Sequence, residues 1–240
     1  MTHLAIIGGT GLTQLQALKI TDREIVHTPY GDPSGPITRG NLYGKDIVFL
    51  PRHGYGHTIP PHKVNYRANI WALQEAGAKQ ILAVAAVGGI REDMLPSCIV
   101  APDQIIDYTS ARITTYFEEG LQHVTHIDFS YPYSASLRAR IIDAAAKAGI
   151  KIIDGATYAA TQGPRLETAA EVDRLDRDGC HIVGMTGMPE AALARELELE
   201  YATCAVVANW AAGRDAGEIT MEEIERHLSK GMKDVGKILE

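Results

Sequence analysis

Short apolar runs recur along this chain at 4–7, 47–50, 81–87, 99–101, 152–156, 182–185 and 201–208, and several contain almost no polar residue. A strand with one solvated face alternates apolar and polar residues. A run that does not alternate belongs to a strand covered on both faces. Helical patterns fill the gaps. One spans 63–75 and ends at Gly77; another spans 136–148, with Leu137, Ile141 and Ala145 on one stripe, and ends at Gly149. A third, 168–177, stops at Gly179; a fourth, 189–199, opens with Pro189 and Glu190; the last covers 220–239. Proline and acid at a helix start and glycine just past its end are expected punctuation. The alternation predicts an α/β fold with helices on both faces of a mixed sheet, as a single domain over 1–240. The segment 109–133 has aromatics and histidines but no period, as lids and subunit contacts often do.

Composition narrows the function. Of 240 residues, 45% are hydrophobic and 22% charged, which excludes a disordered chain, a collagen and a coiled coil. The 3 cysteines are odd in number and far apart, which argues against a disulfide scaffold. No apolar run approaches the roughly 20 residues of a membrane span. The run 4–7 is too short for the core of a signal peptide, so the expected location is the cytoplasm. A net charge of -7 leaves no electrostatic footprint for nucleic acid or an anionic membrane. Any anion must be held by a few donors in a pocket.

Candidate site residues cluster where strands end. Gly8-Gly9-Thr10-Gly11 follows the first run and reads equally as a tight turn or an anion cradle. It is not a Walker loop, and Gln14 stands where the dinucleotide fingerprint needs glycine. Arg52-His53-Gly54 follows the second run and suits an anion. His53 and His57 have the spacing of a helical metal pair, but Gly54, Gly56, Pro60 and Pro61 oppose a helix there, so no metal is expected. Ala85 and Ala86 lie in Ala-Ala-Val-Gly-Gly, which allows close approach of a ligand or merely of a helix. Thr161 to Glu167 and Met185-Thr186 with Pro189-Glu190 lead from runs into helices; Asn209 and Trp210 follow the last run. In α/β folds such strand ends are where sites are built.

Taken together, these segments resemble methylthioadenosine phosphorylase and the related trimeric purine nucleoside phosphorylases. The resemblance rests on Ile6-Ile7-Gly8-Gly9-Thr10-Gly11-Leu12, Arg52-His53-Gly54 with His57-Thr58-Ile59, and Lys63-Val64-Asn65-Tyr66 with Ala68-Asn69-Ile70-Trp71-Ala72-Leu73. Gly163-Pro164-Arg165 and Met185-Thr186 with Pro189-Glu190 complete it, so it spans nearly the whole chain. It implies a distorted mixed sheet, a homotrimer, and phosphorolysis of a purine nucleoside with inorganic phosphate as co-substrate. No metal or organic cofactor is implied. By the same resemblance, Thr10, Arg52, His53, Ala85, Ala86 and Thr186 form a phosphate site and Met185 lies against the ribose. Ala85 stands where the adenosine-type enzymes carry threonine.

The resemblance also implies a base reader formed by Asn209 and Glu167, with Trp210, Ala211 and Leu166 beside it. The methylthioadenosine enzymes present aspartates where Asn209 and Ala211 stand here, whereas the 6-oxopurine enzymes present the Asn and the Glu. An ionised Glu167 only accepts hydrogen bonds, so it suits the N1–H of an oxopurine and repels the bare N1 of adenine. Met221 falls where ordinary nucleoside phosphorylases place a histidine against the 5′-hydroxyl. A thioether packs on a methylthio group instead, although Met221 also reads as plain core of an amphipathic helix. The substrate so described is 5′-methylthioinosine. Alternatives are methylthioadenosine, or inosine and guanosine with His126 of a neighbouring subunit serving the 5′-hydroxyl. A dinucleotide-binding oxidoreductase and a non-catalytic nucleoside-binding module are readings from other classes.

Overall fold

The computed structural model describes residues 4–12 and 17–240. Gln14, which counts against a dinucleotide fingerprint, lies outside the described residues. The strands are β1 (Leu4–Gly8), β2 (Lys19–Glu24), β3 (Ile37–Leu42), β4 (Lys45–Pro51), β5 (Gln80–Gly89), β6 (Ile99–Ala101), β7 (Gln104–Asp107), β8 (Ile152–Asp154), β9 (Thr157–Ala160), β10 (Ile182–Gly184) and β11 (Glu200–Trp210). The helices are α1 (Tyr66–Glu75), α2 (Ala135–Lys147), α3 (Ala169–Arg177), α4 (Gly187–Glu196) and α5 (Met221–Leu239). Every predicted helix is present, and each predicted strand run maps onto a strand except 152–156, which Gly155 (φ +91°) splits into β8 and the approach to β9. The predicted helix 63–75 starts later, at Tyr66, because Pro61–Lys63 forms a 3₁₀ turn and Asn65 caps the helix by accepting from the Ala68 N–H. No helix or strand occupies 109–133.

The sheet runs β2-β3-β4-β1-β5-β10-β9-β7, with β11, β6 and β8 branching from β5. The interior of β5 shows why its sequence does not alternate. Ile81, Ala83, Ala85 and Val87 pack with α1 and α4 on one face; Leu82 and Val84 pack with α2 and α5 on the other. Burying both faces needs apolar side chains at every position. Leu137, Ile141 and Ala145 of α2 are buried, as the stripe predicts. In α5 the buried set is Leu228, Gly231, Val235 and Ile238, the spacing of one helical face.

One irregularity of this sheet creates the site. Along one edge β5 pairs with β11 from Gln80 to Gly89. Along the other it pairs with β1 up to Ala83 and with β10 only at Gly88 and Gly89. Between these contacts the sheet forks, and residues 84–87 have no strand neighbour on that edge. Unpaired backbone donors and acceptors need partners, and the fork leaves some of them facing a cavity.

Candidate active site

A cavity of about 560 Å³ opens at this fork. Its walls come from the ends of β1, β4, β5, β9, β10 and β11, through Gly9 and Thr10, Arg52 and His53, Ala85 and Ala86, Glu167, Met185 and Thr186, and Asn209. The sequence-predicted residues Leu166, Ala211 and Met221 also line it. A groove of about 730 Å³ between α2 and the end of α5 is larger, but Leu4, Lys45, Arg140 and Lys147 line it at the opposite ends of the strands. Two predicted residues are not on the cavity wall. Trp210 lies within β11, paired with Gly89, because the strand runs past residue 208 through a bulge between Val207 and Asn209. Hence Asn209 does not end the strand but is turned by the bulge into the cavity. His126 is exposed in 109–133 and does not reach the cavity of its own chain.

The end of the cavity at Gly9 and Arg52 is crowded by the backbone. A Cβ on Gly9 would lie 2.6 Å from the Val84 carbonyl oxygen and 2.7 Å from Nη1 of Arg52, so only glycine fits. Gly11 at φ +82° then completes the turn. Thr186 is buried and precedes α4, and its hydroxyl makes no capping hydrogen bond.

Arg52, expected to hold an anion, is itself paired within the protein. It is 1% exposed. Its Nε donates to Glu190 Oε2 at 2.6 Å, Nη2 to Glu190 Oε1 at 2.8 Å, and Nη1 to the Val84 carbonyl at 3.1 Å. Glu190 is fully buried and also accepts from the Tyr201 hydroxyl at 2.8 Å. Burial alone would lower the Arg52 pKa, but the Glu190 charge and its hydrogen bonds outweigh that and raise it. Arg52 thus brings to the cavity the N–H bonds left over from a neutralised pair, not an uncompensated charge. Glu190 reads in the sequence as a helix-opening acid, and its partnership with Arg52 spans 138 positions.

His53 is held in one protonation state. Its Nδ1 lies 2.8 Å from the Ile59 carbonyl oxygen, which only accepts, so Nδ1 carries the hydrogen. Burial and the neighbouring Arg52 charge push its pKa down to about 4. The ring is therefore neutral near pH 7, with Nε2 a lone-pair acceptor. The folded pKa lies below the ordinary 6.5, so this group's stability contribution is full above pH 6.5 and is lost as pH falls toward 4. Between pH 6.5 and 5 the loss should be about 2 kcal/mol. Urea unfolding at the two pH values should show that drop shrinking in His53→Asn, which keeps a donor for Ile59. An equal drop in both proteins would mean that His53 titrates normally.

Glu167 and Asn209 also line the cavity. The Thr161 hydroxyl donates to Glu167 Oε1 at 2.6 Å, which orients the carboxylate and treats it as an acceptor. The Asn209 amide donates to the Trp210 carbonyl at 2.6 Å, which leaves its second N–H and its oxygen. Met221, 65% exposed, begins α5 at the rim. The helical histidine pair does not form, since residues 52–57 are turns. Sequence reasoning missed Arg112. Its guanidinium lies behind the cavity wall and donates to backbone carbonyls of both the 161–162 and 185–188 segments.

A mixed sheet that forks over a cavity of glycine backbone, hydroxyls, a neutral histidine and a carboxylate–amide pair defines a nucleoside-phosphorylase type of architecture. Residues 3–240 match the Phosphorylase superfamily, and the chain belongs to it. It is 59% identical over 235 residues to the "Probable S-methyl-5'-thioinosine phosphorylase" of Pseudomonas syringae pv. tomato, covering 98% of this chain and 96% of that one. It is 44% identical to the 6-oxopurine nucleoside phosphorylase of Pyrococcus furiosus, covering 100% and 91%. Methylthioadenosine phosphorylase from Schistosoma mansoni, in complex with adenine, superposes with a TM-score of 0.95 at 32% identity, covering 100% of this chain and 90% of that one.

Proposed function

We propose that this protein phosphorolyses S-methyl-5′-thioinosine to hypoxanthine and 5-methylthioribose 1-phosphate. The observation that carries the substrate choice is Glu167. It lies on the cavity wall, oriented by the Thr161 hydroxyl, with Asn209 in the same cavity. A carboxylate accepts from the N1–H of an oxopurine, and an amide N–H serves N7 or O6. The relatives bearing the methylthioinosine name support the same reading.

Inorganic phosphate is the nucleophile and no metal or organic cofactor takes part. Thr10, Thr186, the backbone at Ala85 and Ala86, and the spare N–H bonds of Arg52 hold the anion. His53 Nε2 accepts the P–OH of hydrogen phosphate, which aims an unprotonated oxygen at the sugar. As the C1′–N9 bond breaks, its electron pair passes to the purine, where Asn209 offsets the charge at N7 or O6; a phosphate oxygen then bonds to C1′. The protein supplies position and fixed dipoles, and no covalent enzyme intermediate is required. Met185 backs the ribose and Met221 covers the methylthio group. The working assembly is a cytoplasmic homotrimer, in which the exposed stretch 118–126, His126 included, reaches a neighbour's cavity.

The likeness to methylthioadenosine phosphorylases favours a second reading, in which adenine is the base. Side-by-side assays of methylthioinosine, methylthioadenosine and inosine with phosphate separate the readings. Methylthioinosine should be cleaved fastest, and methylthioadenosine slower by several orders of magnitude. Faster cleavage of methylthioadenosine would refute the assignment.

A further inference from the structure

The strands β9 and β10 pair as far as Ala160 and Gly184 and then separate into two loops. One, 161–167, carries Glu167; the other, 185–188, carries Met185 and Thr186. Each loop leaves carbonyl oxygens that no strand satisfies, and Arg112 collects them. Nη2 donates to the Thr161 and Gln162 carbonyls at 3.2 and 2.9 Å. Nη1 donates to the Met185 and Met188 carbonyls at 2.8 and 2.6 Å. Nε donates to Gln162 Oε1 at 3.1 Å. All five N–H bonds of the guanidinium are thereby engaged.

The electrostatics differ from those of Arg52. Arg52 is neutralised by Glu190, whereas among the described residues no carboxylate lies within 4.0 Å of Arg112. Its charge is met by carbonyl dipoles and by Tyr66, whose hydroxyl accepts from Nη1 at 3.3 Å and whose ring centre lies 5.5 Å from the guanidinium. Arg195 also donates to carbonyls, but those of Asp128 and Tyr131 belong to a single segment. Five donors turned onto two loops that carry opposite ends of one cavity suggest another purpose. A lysine cannot substitute, because its three donors diverge from a single point and lack the planar fork.

We infer that Arg112 is a positioning residue which locks the base-reading loop at 161–167 to the sugar and phosphate loop at 185–188. Its fork fixes the distance from Glu167 to Met185 and Thr186, and so the register of a nucleoside lying between them. This inference rests on the proposed phosphorolysis. It places in a fixed spatial relation two loops that diverge where the β9–β10 pairing ends.

The wild type is first assayed on methylthioinosine, methylthioadenosine and inosine, which tests the substrate reading without reference to Arg112. Arg112→Lys and Arg112→Ala are then compared on the nucleosides that the wild type cleaves. With the lock broken, kcat/KM for the preferred nucleoside should fall about 100-fold, as misplacement by an ångström can cause. The preference between oxopurine and aminopurine should narrow at least about 10-fold, because Glu167 no longer holds its place. Guanidinium chloride at tens of millimolar should restore Arg112→Ala at least about 10-fold, while sodium chloride at equal concentration should not. If Arg112→Ala does not fold, Arg112→Lys decides through the preference ratio alone. Unchanged kinetics in Arg112→Lys, or lost activity with the preference intact and no guanidinium rescue, would overturn the inference. A wild type that cleaves none of the three nucleosides overturns both the inference and the reading beneath it; a wild type that prefers another of them overturns only the substrate.

Discussion

Replacing Glu190 by Ala should lower the unfolding free energy by about 3–5 kcal/mol, because it strands the Arg52 charge in the interior. The pair is nearly inaccessible to water, with side-chain exposures of 1% and 0%. Its attraction largely offsets the cost of desolvating both ions, so removing both should harm stability far less than removing one. The triple variant Arg52→Met, Glu190→Leu, Tyr201→Phe tests this; the third change prevents the Tyr201 hydroxyl from losing its acceptor. It should unfold in urea within about 2 kcal/mol of the wild type. Its activity should nevertheless be poor. Three of the five Arg52 N–H bonds are used internally, and in the proposed reaction the two that remain hold phosphate. Losing two charge-assisted hydrogen bonds worth about 1.5–3 kcal/mol each should cut kcat/KM for phosphate by more than about 100-fold. A Glu190→Ala protein as stable as the wild type would show that Arg52 finds water or another anion, and the buried-pair account would fail.

What the sequence reveals of this fold follows from where burial is two-sided. The runs at β1, β4, β5 and β11 are apolar because helices cover both faces, and they are legible for that reason. Three of the strands outside the predicted runs, β2, β3 and β7, carry no such signal. All six residues of β2, Lys-Ile-Thr-Asp-Arg-Glu, are exposed on a sheet edge, so hydrophobicity cannot mark them. In β3, Arg39 donates to the Ala76 carbonyl, 37 positions away, and Asn41 to Asp46 across the hairpin to β4. β7 is the opposite edge, with no residue fully buried. Tertiary context supplies these strands, and local pattern does not.

The site divides along the same line. Thr10, Arg52, His53, Thr186 and Asn209 are legible because each stands at or beside the end of an apolar run. Glu190 and Arg112 are not. Glu190 meets its partner only once β4 and α4 are brought together, and a glutamate opening a helix already has a sufficient local explanation. Arg112 sits in a segment with no period, and its partners are carbonyl groups, which every residue has and no sequence pattern displays. Positioning residues that act on backbone are thus systematically hidden from sequence reasoning, while those that terminate strands are exposed to it.

The base reader should be convertible. Asn209→Asp with Glu167→Ser should raise methylthioadenosine cleavage and depress methylthioinosine cleavage, shifting their ratio by several orders of magnitude. Glu167 is the stronger lever. Its Oε1 is engaged by the Thr161 hydroxyl, so the carboxylate meets a base as an acceptor, and adenine N1 is an acceptor too. A mismatched charged hydrogen bond costs about 1.5–3 kcal/mol, and serine, which can donate, removes the clash. Asn209 is the weaker lever, because an amide can turn over and offer either group. Its observed bond to the Trp210 carbonyl limits that freedom by committing one N–H. Aspartate at 209 can accept from the adenine amino group, and when protonated it can donate to N7. The two changes should be non-additive, since both residues grip one small base. Thr161 provides the internal control. Thr161→Val removes the hydroxyl that orients Glu167, so it should weaken methylthioinosine in a Glu167 background and have little effect once Glu167 is serine. If the double variant kept the wild-type preference, or if Thr161→Val acted equally in both backgrounds, Glu167 would not be the residue that reads the base.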